Sequence, residues 1–404
     1  MSDPDIETWR QEARAWLEGM AGEFGKTARR GLSEAEDLAL ARRYQHAKFD
    51  AGFAGITLPP EFGGRGLSPL HKVAFEVEEM PFGMPTAYYG VSLGMPVPIL
   101  IRYGQDRDFV RERCLAALKG EEIWCQLFSE PSGGSDLAGL RTRAVRDDNG
   151  DWIVTGQKLW TTYAQHSDYG EIIVRTDPTV AKHKGLTAFW IDMRAPGVTV
   201  RPIKLAGGAS DVNEVFLDEV RLSDSQRLGA VGEGFRVAID TLMIERYSAG
   251  DSGGFGPRLE TFVELAREAT INGRPALEDG RIRSAIARSY ALRSGLDTIR
   301  EQAMQLMAAR MEPGPEGSLG KLFSVRSRQK LSELAMDLQG ALGLAFDPHA
   351  LPTEDWVTSW INAPTGRIAG GADEMLLNTI AEKVLGLPQD HRPDKGVPFN
   401  AIPA

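Results

Sequence analysis

Three clusters in this 404-residue chain carry side chains able to do chemistry. In the first, Trp124-Cys125-Gln126-Leu127-Phe128-Ser129 is apolar and extended, then breaks at Glu130-Pro131 into a Gly/Ser loop containing Gly133, Gly134, Ser135 and Asp136. Glycine has no Cβ, so such a loop can bring backbone N–H groups close to a ligand. In the second, Gly156-Gln157-Lys158-Leu159-Trp160-Thr161-Thr162, a large ring stands beside two hydroxyls. Between them, Asp148-Asn149-Gly150-Asp151 is a strong hairpin turn signal. A ring, two hydroxyls and a loop of amides suit a flat, polar-edged, phosphate-bearing cofactor. A lone tryptophan, by contrast, is more often a core aromatic.

The third cluster is the pair Glu245-Arg246. On a helix from Gly234, Phe235, Ala238, Ile239, Leu242 and Met243 form one apolar stripe. At ~100° per residue, Arg246 falls in the middle of that stripe and Glu245 at its edge. Adjacent helix residues do not face each other, so the two charges do not simply neutralise one another. Each needs a partner elsewhere, either a ligand or a buried ion pair with another helix. Desolvation of such a carboxylate raises its pKa toward working pH, which suits a general base.

The elements that would position these clusters change character along the chain. Residues 1–120 read as helical: Ile6, Trp9, Ala13, Trp16, Leu17 and Met20 recur at helical spacing, with Pro4 in the first turn. From 121 to 230, short β-branched runs alternate with Asn-Gly, Pro-Gly and Gly-Gly turns, which predicts a small barrel or sandwich. The helical period returns over 231–387, as in Leu322, Val325, Leu331, Leu334, Ala335 and Leu338. Residues 388–404 hold four prolines, so an extended tail is expected there. The fold class is therefore multidomain α+β.

Composition narrows the function classes. The chain is 42% hydrophobic and 25% charged, enough for a large core. The net charge of −10 argues against nucleic acid. No apolar run approaches the ~20 residues of a membrane span. The N-terminus starts with acids and no apolar stretch, so no signal peptide is expected. The only cysteines, Cys114 and Cys125, give no disulfide framework; a reducing, cytoplasmic compartment is expected. The six histidines lack metal-ligand spacing, and no Rossmann glycine pattern, Walker loop or nucleophile elbow occurs.

Ser129-Glu130-Pro131-x-x-Gly134-Ser135-Asp136 followed by Trp160-Thr161-Thr162 resembles the flavin-binding signature of the acyl-CoA dehydrogenase family. Gly55-Ile56-x-Leu58-Pro59-x-Glu61-Phe62-Gly63-Gly64-x-Gly66, Asn213-Glu214-Val215-Phe216 and Glu382-Lys383-Val384-Leu385-Gly386-Leu387-Pro388 fit the family in the same order. The resemblance implies an N-terminal helical domain, a middle β domain and a C-terminal helical bundle. It also implies FAD, an acyl-CoA substrate, an electron-transferring flavoprotein as acceptor, and a tetramer or dimer, homomeric or heteromeric. By resemblance, Gln126, Phe128 and Ser129 line the isoalloxazine, Gly134 and Ser135 touch the cofactor, and Ser135 lies near the CoA chain. Trp160 shields a flavin face, and Thr161 and Thr162 belong to the same cofactor-binding run, with Thr162 near N5. Gln339 and Gly343, in Gln339-x-x-x-Gly343, and Glu374 match contacts to the neighbouring subunit's cofactor.

The family's reaction removes an α-proton and a β-hydride from an acyl-CoA thioester, giving the trans-2-enoyl-CoA. In much of the family the base is a Glu in a Tyr-Glu-Gly-Thr motif, but here Ala369-Gly370-Gly371-Ala372 stands at that place and the carboxylate is gone. A subset of the family carries the base in a Glu-Arg pair on an earlier helix, which makes Glu245 the expected base and Arg246 a substrate-side residue. Gly370 keeps its N–H, half of the family's oxyanion hole. With Gly371 it leaves room for a bulky or branched acyl group; a plain helix-entry turn is the other reading. An Arg that usually precedes a Gln-Phe-Gly run is missing from Ala269-Thr270-Ile271-Asn272-Gly273-Arg274, with Arg267 or Arg274 open as substitutes. Those departures keep two alternatives: a degenerate partner subunit of a heteromeric enzyme, and a flavin oxidase or monooxygenase of the same fold.

Overall fold

The computed structural model describes residues 4–248, 259–308, 314–340 and 356–402; within them, the side chains of Pro4, 245–248, Met304, 307 and 308 are not described. Seven helices come first: α1 (Pro4–Phe24), α2 (Lys26–Arg29), α3 (Glu34–Asp50), α4 (Pro69–Glu79), α5 (Ala87–Gly94), α6 (Pro96–Tyr103) and α7 (Arg107–Leu118). Helix α1 buries Trp9, Ala13 and Leu17, the predicted stripe, against Tyr44, Phe53 and Phe75.

Eight strands follow: β1 (Trp124–Leu127), β2 (Arg143–Arg146), β3 (Trp152–Thr162), β4 (Tyr169–Arg175), β5 (Leu186–Asp192), β6 (Val198–Ile203), β7 (Val212–Leu222) and β8 (Arg227–Leu228). They form one sheet in the order β6-β7-β3-β2-β4-β5-β8, with β1 parallel beside β4. The predicted hairpin joins β2 to β3, Arg146 opposite Trp152, with Gly150 at φ 90°. Strand β4 carries the continuous apolar run Ile172–Val174 because both of its faces are covered. Ile173 packs toward the helices with Trp124, Val237 and Ala238, while Ile172 and Val174 join Cys125, Leu127 and Val215 on the other side.

The C-terminal part holds α8 (Gly234–Ser248), α9 (Leu259–Glu268), a two-stranded hairpin of β9 (Thr270–Ile271) and β10 (Arg274–Pro275), then α10 (Gly280–Ala308), α11 (Gly317–Gln339), α12 (Trp356–Gly366) and α13 (Asp373–Thr379). The helical stretch predicted to reach Leu387 is thus interrupted. Asn272 and Gly273 turn the small hairpin at φ 52° and 76°, and α13 gives way to a π-helical turn over Ile380–Val384. The Pro-rich tail is also more than an extended end. Phe399 N–H donates to Val180 O at 2.9 Å, Asn400 N–H donates to Pro178 O at 3.0 Å, and the Arg175 guanidinium lies 3.5 Å from the centre of the Phe399 ring. Among the described residues no helix is long and apolar enough to cross a membrane.

Candidate active site

Strand β1 delivers Gln126, Phe128 and Ser129 to the edge of a large cavity, and the loop after it closes on itself through reciprocal Glu130–Gly133 backbone bonds of 3.0 Å. Burial alone would raise the Glu130 pKa. The Lys158 ammonium 2.9 Å away and the N–H groups of Arg141 at 2.6 Å and Thr142 at 3.0 Å hold it below the ordinary value instead. Lys158 is fully buried and also donates to Phe128 O at 3.1 Å and Ile173 O at 2.8 Å. Lysine is almost never fully buried unless paired, so this pair is the pin that fixes the Gly/Ser loop to β3. It was not singled out from the sequence; a lysine between apolar strand residues, paired with the motif's glutamate, was the available signal.

Two residues after Lys158, the β3–β7 register slips and Trp160 takes φ 62°, a left-handed conformation that a bulky residue rarely adopts. The slip throws the indole out of the sheet, 54% exposed, onto the cavity wall beside Thr162. Thr161 lies between them but is buried, its carbonyl accepting from Asn213 Nδ2 at 3.0 Å, so its hydroxyl belongs to the sheet interior rather than the cavity lining. Strained positions persist where surrounding structure over-determines them, and they cluster at functional sites.

Helix α8 forms a second wall. Phe235, Ile239 and Leu242 line the cavity, whereas Val237, Ala238 and Thr241 are fully buried against the sheet. The predicted single stripe is therefore two adjoining faces, and Ala238 belongs to the packed one. At ~100° per residue the backbone position of Arg246 falls in line with the cavity face, and that of Glu245 on the packed face, between Thr241 and Ala238. Their side chains are outside the described set.

The third wall is the turn between α12 and α13. Gly370 and Gly371 line it at φ 62° and 104°, so the backbone itself favours glycine there. Lys321 Nζ donates to Ala369 O and, at 2.6 Å, to Gly371 O. Asp373, buried, accepts from Arg326 Nε at 3.0 Å and Arg367 Nε at 2.9 Å; burial opposes ionisation, but the two guanidiniums hold its carboxyl below the usual range. Val73, Glu76 and Val77 of α4 and Leu292, Leu296 and Ile299 of α10 complete the lining. Burial raises the Glu76 pKa, with Lys72 3.8 Å away opposing it. These α4 and α10 residues were not foreseen.

The cavity so enclosed measures about 1670 Å³ and brings Gln126, Phe128, Ser129, Gly134, Ser135, Trp160, Thr162 and Gly370 onto one surface. Gln339 and Glu374 lie off its lining. Gln339 caps back onto Ala335 O at 3.2 Å, Glu374 is exposed on α13, and Gly343 lies outside the described residues. Gln126 Nε2 is buried with no hydrogen-bond partner, an unmet donor on a residue that lines the same cavity as the exposed indole. A Cβ built on Gly133 would come no closer than 3.4 Å to Asp136 O, and one on Gly134 no closer than 3.5 Å to Ser129 Oγ. Neither glycine has φ in the left-handed region. Nothing in the protein itself demands glycine there, whereas a ligand pressed against the loop would. An unmet amide, an exposed ring and a bare loop fit a flat, polar-edged group such as FAD. Among the described residues no cluster of three or more His, Cys, Asp or Glu could hold a metal ion.

Family models describe the chain almost end to end: the acyl-CoA dehydrogenase N-terminal domain over residues 3–121, the middle domain over 125–220 and the C-terminal domain over 232–385. The chain is 34% identical over 396 residues to the acyl-CoA dehydrogenase IpdE1 of Mycobacterium tuberculosis, covering 96% of this chain and 99% of that protein. It is 27% identical over 383 residues to cyclohexane-1-carbonyl-CoA dehydrogenase of Geobacter metallireducens, covering 94% and 96%. The Tcur3481–Tcur3483 steroid ACAD structure superposes with a TM-score of 0.80 at 24% identity, over 96% of this chain and 99% of that one, a likeness of fold. The chain belongs to the acyl-CoA dehydrogenase family and is a flavoprotein oxidoreductase of lipid catabolism.

Proposed function

We propose that this enzyme dehydrogenates a bulky or α-branched acyl-CoA thioester across its α,β-bond to the trans-2-enoyl-CoA, with Glu245 as the α-proton base. FAD, when bound, supplies the hydride acceptor. Gln126, Phe128, Ser129, Gly134, Trp160 and Thr162 would hold it, and Ser135 would stand beside the CoA chain. The observation that carries this reading is the single cavity shared by the Trp160 wall, the α8 wall and the Gly370 turn. Gly370 carries no carboxylate, so in this reading the base comes from α8, the helix whose Phe235, Ile239 and Leu242 line the cavity and whose sequence carries Glu245. The Gly370 N–H would steady the thioester oxygen as α-proton abstraction builds charge on it. Glycine at 370 and 371 leaves volume beside the reacting carbons, and the cyclic acyl group named for the Geobacter relative is of the α-branched kind. Electrons would leave to an electron-transferring flavoprotein, and the working assembly would be a tetramer or dimer.

Anaerobic flavin bleaching across a panel of acyl-CoAs tests this. Wild type should bleach with cyclic or branched thioesters, and Glu245→Gln should bind them yet lose at least 100-fold in rate, the scale of a general base (roughly 10²–10⁴). Bleaching that survives Glu245→Gln sinks the assignment of the base. A colourless protein that turns yellow only with a co-expressed homologue selects the partner-subunit reading, which the missing carboxylate at Gly370 and Ala372 favours. Peroxide release with substrate selects an oxidase.

A further inference from the structure

Glu171 on β4 is fully buried, and its contact lies on α8: Thr241 Oγ1 is 2.7 Å from Glu171 Oε1. The same hydroxyl oxygen is 2.9 Å from Val237 O, one helical turn back. A threonine hydroxyl has one proton. If it goes to Val237 O, the contact to Glu171 needs a proton from the Glu171 carboxyl. If it goes to an ionised Glu171, the Val237 contact loses its hydrogen and a buried carboxylate is left with no cation, which is costly. The neighbouring elements supply none: β1 presents Gln126 and Trp124, β5 presents Trp190, and α8 presents Val237, Ala238 and Thr241. No described residue among these is charged; Glu245 lies one turn beyond Thr241. Burial accordingly pushes the Glu171 pKa up to about 8. Gln126 is the register partner of Glu171 in the parallel strand, and Gln126 Nε2 and Glu171 Oε2 are both buried without a partner.

We propose that Glu171 is a positioning residue, a proton-bearing strut that donates to Thr241 from the strand paired beside Gln126. It thereby ties the helix carrying Glu245 to the strand lining the cavity. Ionising Glu171 breaks the donation and loosens both walls. The consequence for the reaction rests on the function proposed above; the proton itself does not.

Two measurements on the purified flavin-loaded enzyme separate these. An unfolded glutamate titrates near ~4.3 and the folded one higher, so the native state keeps a proton that the unfolded chain has lost, and stability falls as pH rises through that window. Glu171→Gln cannot ionise. Its thermal midpoint should gain on wild type between pH 5 and pH 8, by roughly a few degrees. Parallel wild-type and Glu171→Gln curves overturn the proposal. Thr241→Val removes the acceptor of the acid's proton and should end the loss below pH 8, giving a second reading if Glu171→Gln does not fold; a curve parallel to wild type there also overturns it. In flavin bleaching, Glu171→Gln should rescue the rate that Glu171→Met loses (about tenfold) and should lack the wild-type decline above pH 8. Equal rates for Glu171→Met and wild type overturn the strut. Diverging thermal curves in a protein that bleaches with no acyl-CoA leave the strut standing and sink the proposed reaction.

Discussion

The cavity is braced on two sides by ion pairs of opposite character. On the sheet side, Lys158 and Glu130 have side chains 0% and 4% exposed, one cation against one anion with no water between. On the helical side, Asp373 is as dry as Glu130, at 4%, but its partners Arg326 and Arg367 are 42% and 41% exposed. Removing a partner from the first pair strands a charge in the core. Removing one from the second leaves another guanidinium in place and water within reach. The wall proposed to hold the cofactor is therefore stiff, while the turn proposed to lie beside the acyl group is held by replaceable contacts. That division suits a site whose cofactor is constant and whose substrate pocket has to be reshaped.

The sharpest way to break this comparison is Lys158→Met against Arg326→Met. The first leaves Glu130 buried and unpaired and should cost about 3–5 kcal/mol. The second should cost less than about 1 kcal/mol, as half-exposed pairs do. Chemical denaturation of the two variants measures the difference, and equal losses refute it. Lys158→Met should also lose flavin absorbance on purification, because the loop it pins carries Gly134 and Ser135.

The contrast also explains what could be read from the chain. The Trp124–Asp136 and Trp160–Thr162 clusters were legible because turn residues, ring and hydroxyls sit close in sequence, and the hairpin between them has a local signature. The left-handed Trp160 was not legible, since the slip that forces it comes from pairing with β7 some 50 residues on. The glycine turn was visible, but its tethers Lys321 and Arg326 are about 50 residues away and read as ordinary surface cations of a helix. On α8 the apolar pattern was real but wide. A helix pressed between a sheet and a cavity has two apolar faces, and periodicity alone merges them. The tail misled for a related reason. Proline bars a long helix but neither the short 3-10 turn over Phe399–Ala401 nor docking, and Phe399 over Arg175 is a contact that spacing cannot announce.

A second, smaller effect concerns the turn itself. Gly370 sits at φ 62°, so Gly370→Ala should cost about 1–2 kcal/mol in backbone strain alone. Gly370→Glu carries the same strain but returns a carboxylate to the cavity. In a Glu245→Gln background it should recover part of the lost bleaching rate, and Gly370→Gln should not. If both restore nothing while both fold, the turn does not approach the reacting carbons.

The smallest effect separates the two braces by acid. Asp373 has its pKa depressed by Arg326 and Arg367 against the cost of burial, so its contribution is present above the unfolded carboxyl value of ~3.9 and is lost as pH falls through the folded value. Asp373→Asn should therefore be less stable than wild type by roughly 1 kcal/mol or less at neutral pH, with a gap that closes below pH 4. Glu130→Gln obeys the same sign, because the Glu130 pKa is also lowered, but it leaves the Lys158 ammonium buried and should open a several-fold larger gap at neutral pH. Urea unfolding of both variants from pH 3 to pH 7 compares them on one axis. Gaps of equal size, or an Asp373→Asn gap that widens toward acid, would mean that the helical brace is as rigid as the sheet brace and that the asymmetry drawn from exposure is false.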